Sequence, residues 1–315
     1  MMSQSRRVYV PSGVSSFFEI CDRSSEGNRL EDPLRIGARG GGFIIEKGTT
    51  TIASNPPELI RDEVLINGRV YSGARTSLGV IRLIRSEFNI PPVRISHVIL
   101  PPIGQGFGTS GAGALATSVA IGDLFHLKFS LSRAADFAHI SEIENLTGLG
   151  TVISLASGTG AVGLVTEPGS FSMGKTDAIL IDPSDFVLVC ATFGPIKKSI
   201  VLSDEHSRLK VNEFGRIALQ RILDNPTPDV LLTESRKFSE LSGLGSKDLL
   251  KISDAASKLG AVGATSNMIG NAIHCLVERS KYDSFMERFS NMVPRESIFE
   301  SSLIQSGPRI LSETA

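Results

Sequence analysis

Pro101-Pro102-Ile103-Gly104-Gln105-Gly106-Phe107-Gly108-Thr109-Ser110-Gly111-Ala112-Gly113-Ala114 is the stretch around which the rest of the chain is organised. Upstream of it, Arg94 to Leu100 alternates polar and apolar residues and then runs apolar, which predicts a strand. Downstream, Ala112 to Phe125 is rich in Ala, Leu, Val and Ile and holds no proline, which predicts a buried helix. Strand, glycine loop and helix, in that order, bring backbone N–H groups and the positive end of a helix dipole onto one anion. Glycines at 104, 106, 108, 111 and 113 let the backbone close on phosphate oxygens. The stretch therefore predicts a phosphate cradle.

One nucleotide motif is excluded by its residues, and a second is matched only weakly. A Walker loop needs Lys followed by Ser or Thr after its last glycine, whereas Gly108 is followed by Thr109 and Ser110, and no lysine occurs from 101 to 127. The dinucleotide fingerprint needs a glycine triplet on the first strand and an acid about 20 positions on, closing a βαβ unit of about 30 residues; residues 104–108 give G-x-G-x-G, but a lone glycine pattern is weak evidence. What fits position by position is P-x-x-x-G-x-G-x-S, carried by Pro102, Gly106, Gly108 and Ser110. This resembles the second motif of the GHMP family of small-molecule kinases.

The composition agrees with an enzyme of small molecules. At 315 residues the chain suggests two lobes, divided here as 1–170 and 171–315. The formal net charge is −1 with acids and bases interspersed, so no footprint for nucleic acid or a membrane surface is expected. Cys21, Cys190 and Cys275 are odd in number and far apart, which predicts buried reduced thiols rather than a disulfide or a metal site. No apolar run approaches the roughly 18 residues of a membrane helix, and a cytoplasmic location is expected. The oligomeric state is left open, a homodimer being one arrangement.

Outward from the loop, Arg7 to Pro11 predicts a short strand, followed by a turn at Gly13 and a second apolar run through Ile20. Gly40-Gly41-Gly42 enters a β-rich run, which predicts a bulged strand or a place where a ligand touches backbone. Residues 57–73 predict a hairpin turning at Asn67-Gly68, and Ala74 to Phe88 a helix. In the second half, 178–181 and 186–191 predict strands, and 212–223, 247–259 and 282–292 predict helices.

The resemblance extends along most of the chain. V-P-S-G-V-S-S-F-F-E-I at 10–20, D-P-L-R-I-G-A-R-G-G-G at 32–42, A-H-I-S-E-I-E-N-L-T-G-L-G at 138–150, F-G-P-I at 193–196 and A-T-S-N-M-I-G-N-A-I at 264–273 resemble, in order, the archaeal pantoate kinase branch of the GHMP kinases. The resemblance implies an α+β fold of two lobes, the first like ribosomal S5 domain 2 and the second ferredoxin-like. It implies that ATP lies along Pro102, Gly104, Gln105, Gly106, Phe107, Gly108, Thr109, Ser110, Gly111 and Ala112. It also implies that Mg²⁺ is held by Ser110 and Glu142, on a helix face shared with Asp136 and His139. Few protein ligands and hard oxygens suit that ion. Glu144, two residues further on, faces away from Glu142. Residues 261–267 occupy the place of the third family motif.

Three departures bear on the acceptor. Where the pantoate kinases carry a histidine in the first motif this chain has Gly13; where they carry an aspartate after T-G-L-G it has Thr151; and no arginine occurs in 160–164. Phosphoryl transfer through a loose transition state depends on positioning and electrostatics, so loss of a base does not forbid it. The expected function is thus an ATP-dependent kinase of a primary hydroxyl on a short branched hydroxy acid. Mevalonate 3-phosphate, converted to mevalonate 3,5-bisphosphate in archaeal isoprenoid biosynthesis, is the first expectation. Pantoate, in archaeal coenzyme A biosynthesis, is the alternative, and a nucleotide-binding paralogue without chemistry is the alternative of another class. Thr151 and Ser15 would lie near the acceptor hydroxyl, with Ser16, Arg39, Lys197 and Lys198 as further acceptor ligands.

Overall fold

Two long antiparallel strands, β1 (Ser5–Cys21) and β2 (Gly37–Ser54), form the spine of the larger sheet. This is a computed structural model, and it describes residues 5–194 and 205–312. The turn expected at Gly13 does not occur. β1 runs through it, because Pro11 falls in a register irregularity between Val10 and Ser12, where its missing N–H costs no ladder bond. The triple glycine reflects strand packing. At Gly42 a Cβ would stand 2.0 Å from the Val14 carbonyl oxygen, so the bulged β1 approaches β2 too closely for any side chain there.

The sheet has eight strands in the order β12-β1-β2-β5-β3-β4, with β6 pairing β2 and β7 pairing β6. β2 changes partner along its length: residues 40–43 pair with β6 (Val162–Glu167) and residues 49–54 with β5 (Arg94–Ile99). β3 (Glu63–Ile66) and β4 (Arg69–Val70) make the expected hairpin, with Asn67 and Gly68 both at positive φ. The buried face carries α1 (Arg75–Glu87), α2 (Thr109–Leu124), α3 (Leu131–Asn145) and α4 (Thr151–Ser157). α2 is the centre of this layer, with Ala112, Ala114, Leu115, Ala116, Ala120 and Ile121 fully buried. Its small residues allow close approach to the sheet and to its neighbours α1 and α3.

The expected division at residue 170 falls inside the hairpin of β6 and β7 (Lys175–Ile179), and β12 (Arg309–Leu311) returns to the edge of β1. The second sheet is antiparallel, ordered β11-β8-β10-β9. It comprises β8 (Phe186–Thr192), β9 (Gly263–Ser266), β10 (Ala272–Glu278) and β11 (Ile298–Ser302). Helices α5 (Glu205–Asp224), α6 (Pro228–Leu241) and α7 (Lys247–Lys258) lie between β8 and β9, and α8 (Tyr282–Phe289) lies between β10 and β11. This is the ferredoxin-like arrangement of strands with an enlarged first crossover. α4 and α6 were not anticipated, and α8 stops three residues short of the expected 292.

Strand alternation in the second sheet builds two cores. Val187, Val189, Ile273, Cys275 and Val277 face Phe285, Phe289 and Leu249, whereas Leu188, Cys190 and Leu276 face the first sheet. The latter core takes in Val14, Phe17, Phe43, Ile45 and Phe107, so the two sheets are joined by a common apolar layer. Cys190 and Cys275 are buried free thiols as expected, but Cys21 is only half-buried. Among the described residues no helix is long and apolar enough to cross a membrane.

Candidate active site

Between β5 and α2 the chain passes through Gly104, Gly106 and Gly108 at φ of 78°, 83° and 62°, a region closed to most side chains. Gly108 is the N-cap of α2 and supplies no capping side chain, and the first turn holds no acid. The Ala112 N–H already donates to the Gly108 carbonyl at 3.0 Å. Ala112 is therefore no anion ligand, contrary to expectation; the donors left over by helix geometry lie before it, on Thr109, Ser110 and Gly111. Phe107 is likewise corrected. Its side chain is 1% exposed and meets Phe299 edge-on with centroids 5.1 Å apart, so only its backbone belongs to the loop. Pro102 is half-buried where the loop leaves β5.

Three segments close around the loop. Thr151, the first residue of α4, places its methyl 2.8 Å from where a Cβ on Gly108 would be, and the Gly13 carbonyl oxygen lies 3.1 Å from the same point. Both positions at which the chain departs from the pantoate kinase pattern thus border the helix start. The third position does not: 160–164 runs into β6, with Ala161, Val162 and Leu164 buried.

Glu142 is buried in α3, its Oε2 standing 3.0 Å from the Cβ position of Gly111 and 2.2 Å from that of Gly148. Ser110 Oγ hydrogen-bonds Thr76 Oγ1 at 3.1 Å, and Thr76 Oγ1 hydrogen-bonds Thr147 Oγ1 at 3.3 Å. The Ser141 hydroxyl holds the Thr76 carbonyl at 2.7 Å, fixing the first turn of α1 on α3. Ser110 and Glu142 both lie at the first turn of α2, and Thr76 joins them there although nothing adjacent to it in the sequence marks a site. His139 belongs to the scaffold: its Nε2–H donates to the Pro33 and Ile36 carbonyls at 3.1 and 2.9 Å, and burial lowers its pKa. Glu144 points outward and pairs with Arg82.

The third side of the loop is the turn joining β9 to β10. The Asn267 amide donates to the Gln105 carbonyl at 3.2 Å, and Gln105 Oε1 accepts from the Gly194 N–H at 3.0 Å. Gln105 thus spends its side-chain oxygen and its backbone carbonyl on the protein. Met268 N–H donates to the Ser15 carbonyl at 3.0 Å. Residues 261–267, whose role the sequence leaves open, therefore end against the glycine loop.

The acceptor ligands fare unevenly. Ser15 is half-buried on β1, but Ser16 is fully buried and its hydroxyl bonds His274 Nε2 at 2.8 Å, so Ser16 turns inward, away from any acceptor. Arg39 donates to Glu19 Oε2 at 2.9 Å and borders a cavity of about 770 Å³ that Arg23, Arg208 and Arg216 also line. It is committed to that ion pair. Lys197 and Lys198 lie outside the described residues.

Two fully enclosed histidines set an acid limit on stability. Burial lowers His97, bonded to Thr51 and Ser77, to about 4, and lowers His274 to about 3. Both groups are neutral when folded and take up a proton near 6.5 when unfolded, so the stability present above 6.5 is lost as pH falls from there toward 4 and 3. Between pH 7 and pH 5 each histidine is expected to remove about 2 kcal/mol. Urea unfolding at the two pH values measures this, and His97→Gln should reduce the difference by about 2 kcal/mol.

The GHMP kinases N terminal domain matches residues 75–158, the span that runs from α1 through the loop, Glu142 and α4. That span carries a GHMP kinase N-terminal domain. Pantoate kinase of Thermococcus kodakarensis is 25% identical to it over 291 residues, covering 91% of this chain and 92% of the relative. Pantoate kinase of Methanocaldococcus jannaschii is also 25% identical, covering 91% and 98%. A solved phosphotransferase related to the CoA biosynthesis pathway superposes with a TM-score of 0.85 at 25% identity, covering 99% of this chain and all of that one. The match and these likenesses indicate an ATP-dependent kinase that acts on a hydroxyl group.

Proposed function

We propose that this GHMP kinase phosphorylates the primary hydroxyl of a short branched hydroxy acid, and that the acceptor is pantoate. The observation that carries this reading is the likeness to two archaeal pantoate kinases across 91% of the chain. It displaces mevalonate 3-phosphate from first place. That second reading keeps one specific support: Gly13 and Thr151, which stand where the pattern has a histidine and an aspartate, border the helix start within 3.1 Å and 2.8 Å of the Gly108 Cβ position.

In this reading the N–H groups of Thr109, Ser110 and Gly111 bind phosphate oxygens at the positive end of α2. Ser110 and Glu142 fit Mg²⁺, because one hydroxyl and one buried carboxylate at the end of the same helix are hard oxygen donors of the kind this ion takes beside phosphates. When bound, Mg²⁺ would neutralise charge on the phosphate oxygens. Thr151 has no titratable group, so transfer rests on alignment of the acceptor hydroxyl rather than on proton removal by a side chain at that place.

ADP release with Mg-ATP, measured against pantoate, mevalonate, mevalonate 3-phosphate, mevalonate 5-phosphate and homoserine, tests the acceptor. Turnover with pantoate alone is the expected result. Turnover with mevalonate 3-phosphate alone would overturn it in favour of the second reading, and silence on the whole panel with ATP still bound would overturn both.

A further inference from the structure

A single imidazole connects three separated parts of the molecule. His274 lies on β10, is fully buried, and bonds Ser16 of β1 through Nε2 at 2.8 Å and Asn267 Oδ1 through Nδ1 at 2.9 Å. Asn267 in turn donates from Nδ2 to the Gln105 carbonyl of the phosphate loop at 3.2 Å. All three side chains are 2% exposed or less.

The direction of every bond in this chain is determined. A carbonyl only accepts, so the Asn267 NH₂ faces Gln105 and its Oδ1 faces His274. Oδ1 also only accepts, so His274 Nδ1 carries the hydrogen. Nε2 is then a bare lone pair, which accepts from the Ser16 hydroxyl. The ring is thus a neutral donor on the loop side and a neutral acceptor on the β1 side, in keeping with its strongly lowered pKa.

His97 provides the contrast. It is equally enclosed, but its two nitrogens meet the hydroxyls of Thr51 and Ser77, on a strand and a helix of the same lobe. The His274 chain instead crosses from the second sheet to the first and terminates on the loop. Asn267 Cβ also lies 2.8 Å from the Cβ position of Gly106, so its orientation bears directly on the residue at the centre of the cradle.

We infer that His274 is a positioning residue of the phosphate loop: its Nδ1–H fixes the Asn267 amide, which holds the Gln105 carbonyl and with it the backbone from Gln105 to Gly108. The inference rests on the reading of that backbone as the phosphate site. Ser16 takes part by holding the tautomer. The loop's shape therefore depends on a residue of the other lobe, and nucleotide affinity is set partly by how the two sheets pack.

Two isosteric substitutions separate the halves of the chain. His274→Asn keeps an N–H donor near the place of Nδ1 and loses the bond to Ser16. His274→Gln keeps an acceptor near the place of Nε2 and loses the bond to Asn267. Binding of Mg-ADP by calorimetry, which needs no acceptor, is read beside Tm, and KM for ATP is read beside kcat. His274→Asn is expected to bind Mg-ADP within about threefold of the parent, and His274→Gln about tenfold more weakly or worse, with comparable losses of Tm. Asn267→Ser, which removes the amide without touching the imidazole, is expected to behave as His274→Gln does and serves if the histidine variants do not fold. Equal nucleotide affinity in all three variants and the parent would overturn the inference while leaving the phosphate loop in place. Failure of the parent itself to bind Mg-ADP would overturn the loop reading, and the inference with it.

Discussion

Ser110→Ala is expected to lower kcat about 10²–10³-fold while leaving the acceptor KM near its parent value, because the hydroxyl acts on charge that develops during transfer rather than on the bound acceptor. Three observations support the proposed role of Ser110. It is the second residue of α2, beyond an N-cap with no side chain. Its hydroxyl is held by Thr76, itself held by Thr147, so its rotamer is supported from behind. The neighbouring Gly111 brings the backbone within reach of the buried Glu142 carboxylate. Initial rates at saturating Mg-ATP, with a Mg²⁺ titration at fixed ATP, measure the effect, and Ser110→Thr should recover part of it by restoring the hydroxyl. A Ser110→Ala enzyme that turns over at the parent rate would remove this hydroxyl from the phosphate site.

Gly270→Ala is expected to cost comparable activity by a different route. A Cβ at 270 would lie 2.3 Å from the Gln105 carbonyl oxygen, 2.4 Å from its carbon and 2.8 Å from the Gly106 nitrogen. All three are backbone atoms, so no side chain can rotate away, and either the β9–β10 turn or the phosphate loop must move by about 1 Å. A displacement of that size in a positioning element costs about 10²-fold in rate, and the overpacking removes about 1–3 kcal/mol of stability. Gly163→Ala is the control, since nothing lies within 4 Å of its Cβ position. Parallel kinetics and thermal melts on the two variants measure both effects. Equal, near-parent behaviour of the pair would show that the turn does not shape the loop.

The chain was legible in sequence wherever its chemistry is local. The strand, the glycine run and the apolar helix are consecutive, and each is specified by residues within a few positions of one another, so, although α2 starts at Thr109, three residues before the expected Ala112, β5 agrees to within one residue. The same holds for the Asn67-Gly68 turn and for α1. Gly13 misled, because a glycine after a proline reads locally as a turn. The pairing of β1 with β2 along their whole length overrode that local signal.

By itself, then, the sequence carried the family resemblance and the strand, glycine loop and helix on which the proposed phosphate site rests, with Ser110 and Glu142 as the oxygen donors that resemblance implies. Tertiary structure alone decided which side chains face the cradle. Ser16 and His274 are 258 positions apart, Asn267 and Gln105 are 162 apart, and Thr76 and Ser110 are 34 apart, and no local periodicity encodes contacts at such separations. It turned Ser16 inward, committed Arg39 to Glu19 and drew Phe107 into the layer between the sheets. The physical reason is that once the sheets close over a shared apolar core, an apolar side chain such as Phe107 joins that core, while a polar group such as Ser16 or Arg39 takes the partner that packing brings within reach, and both outcomes are specified by the whole fold.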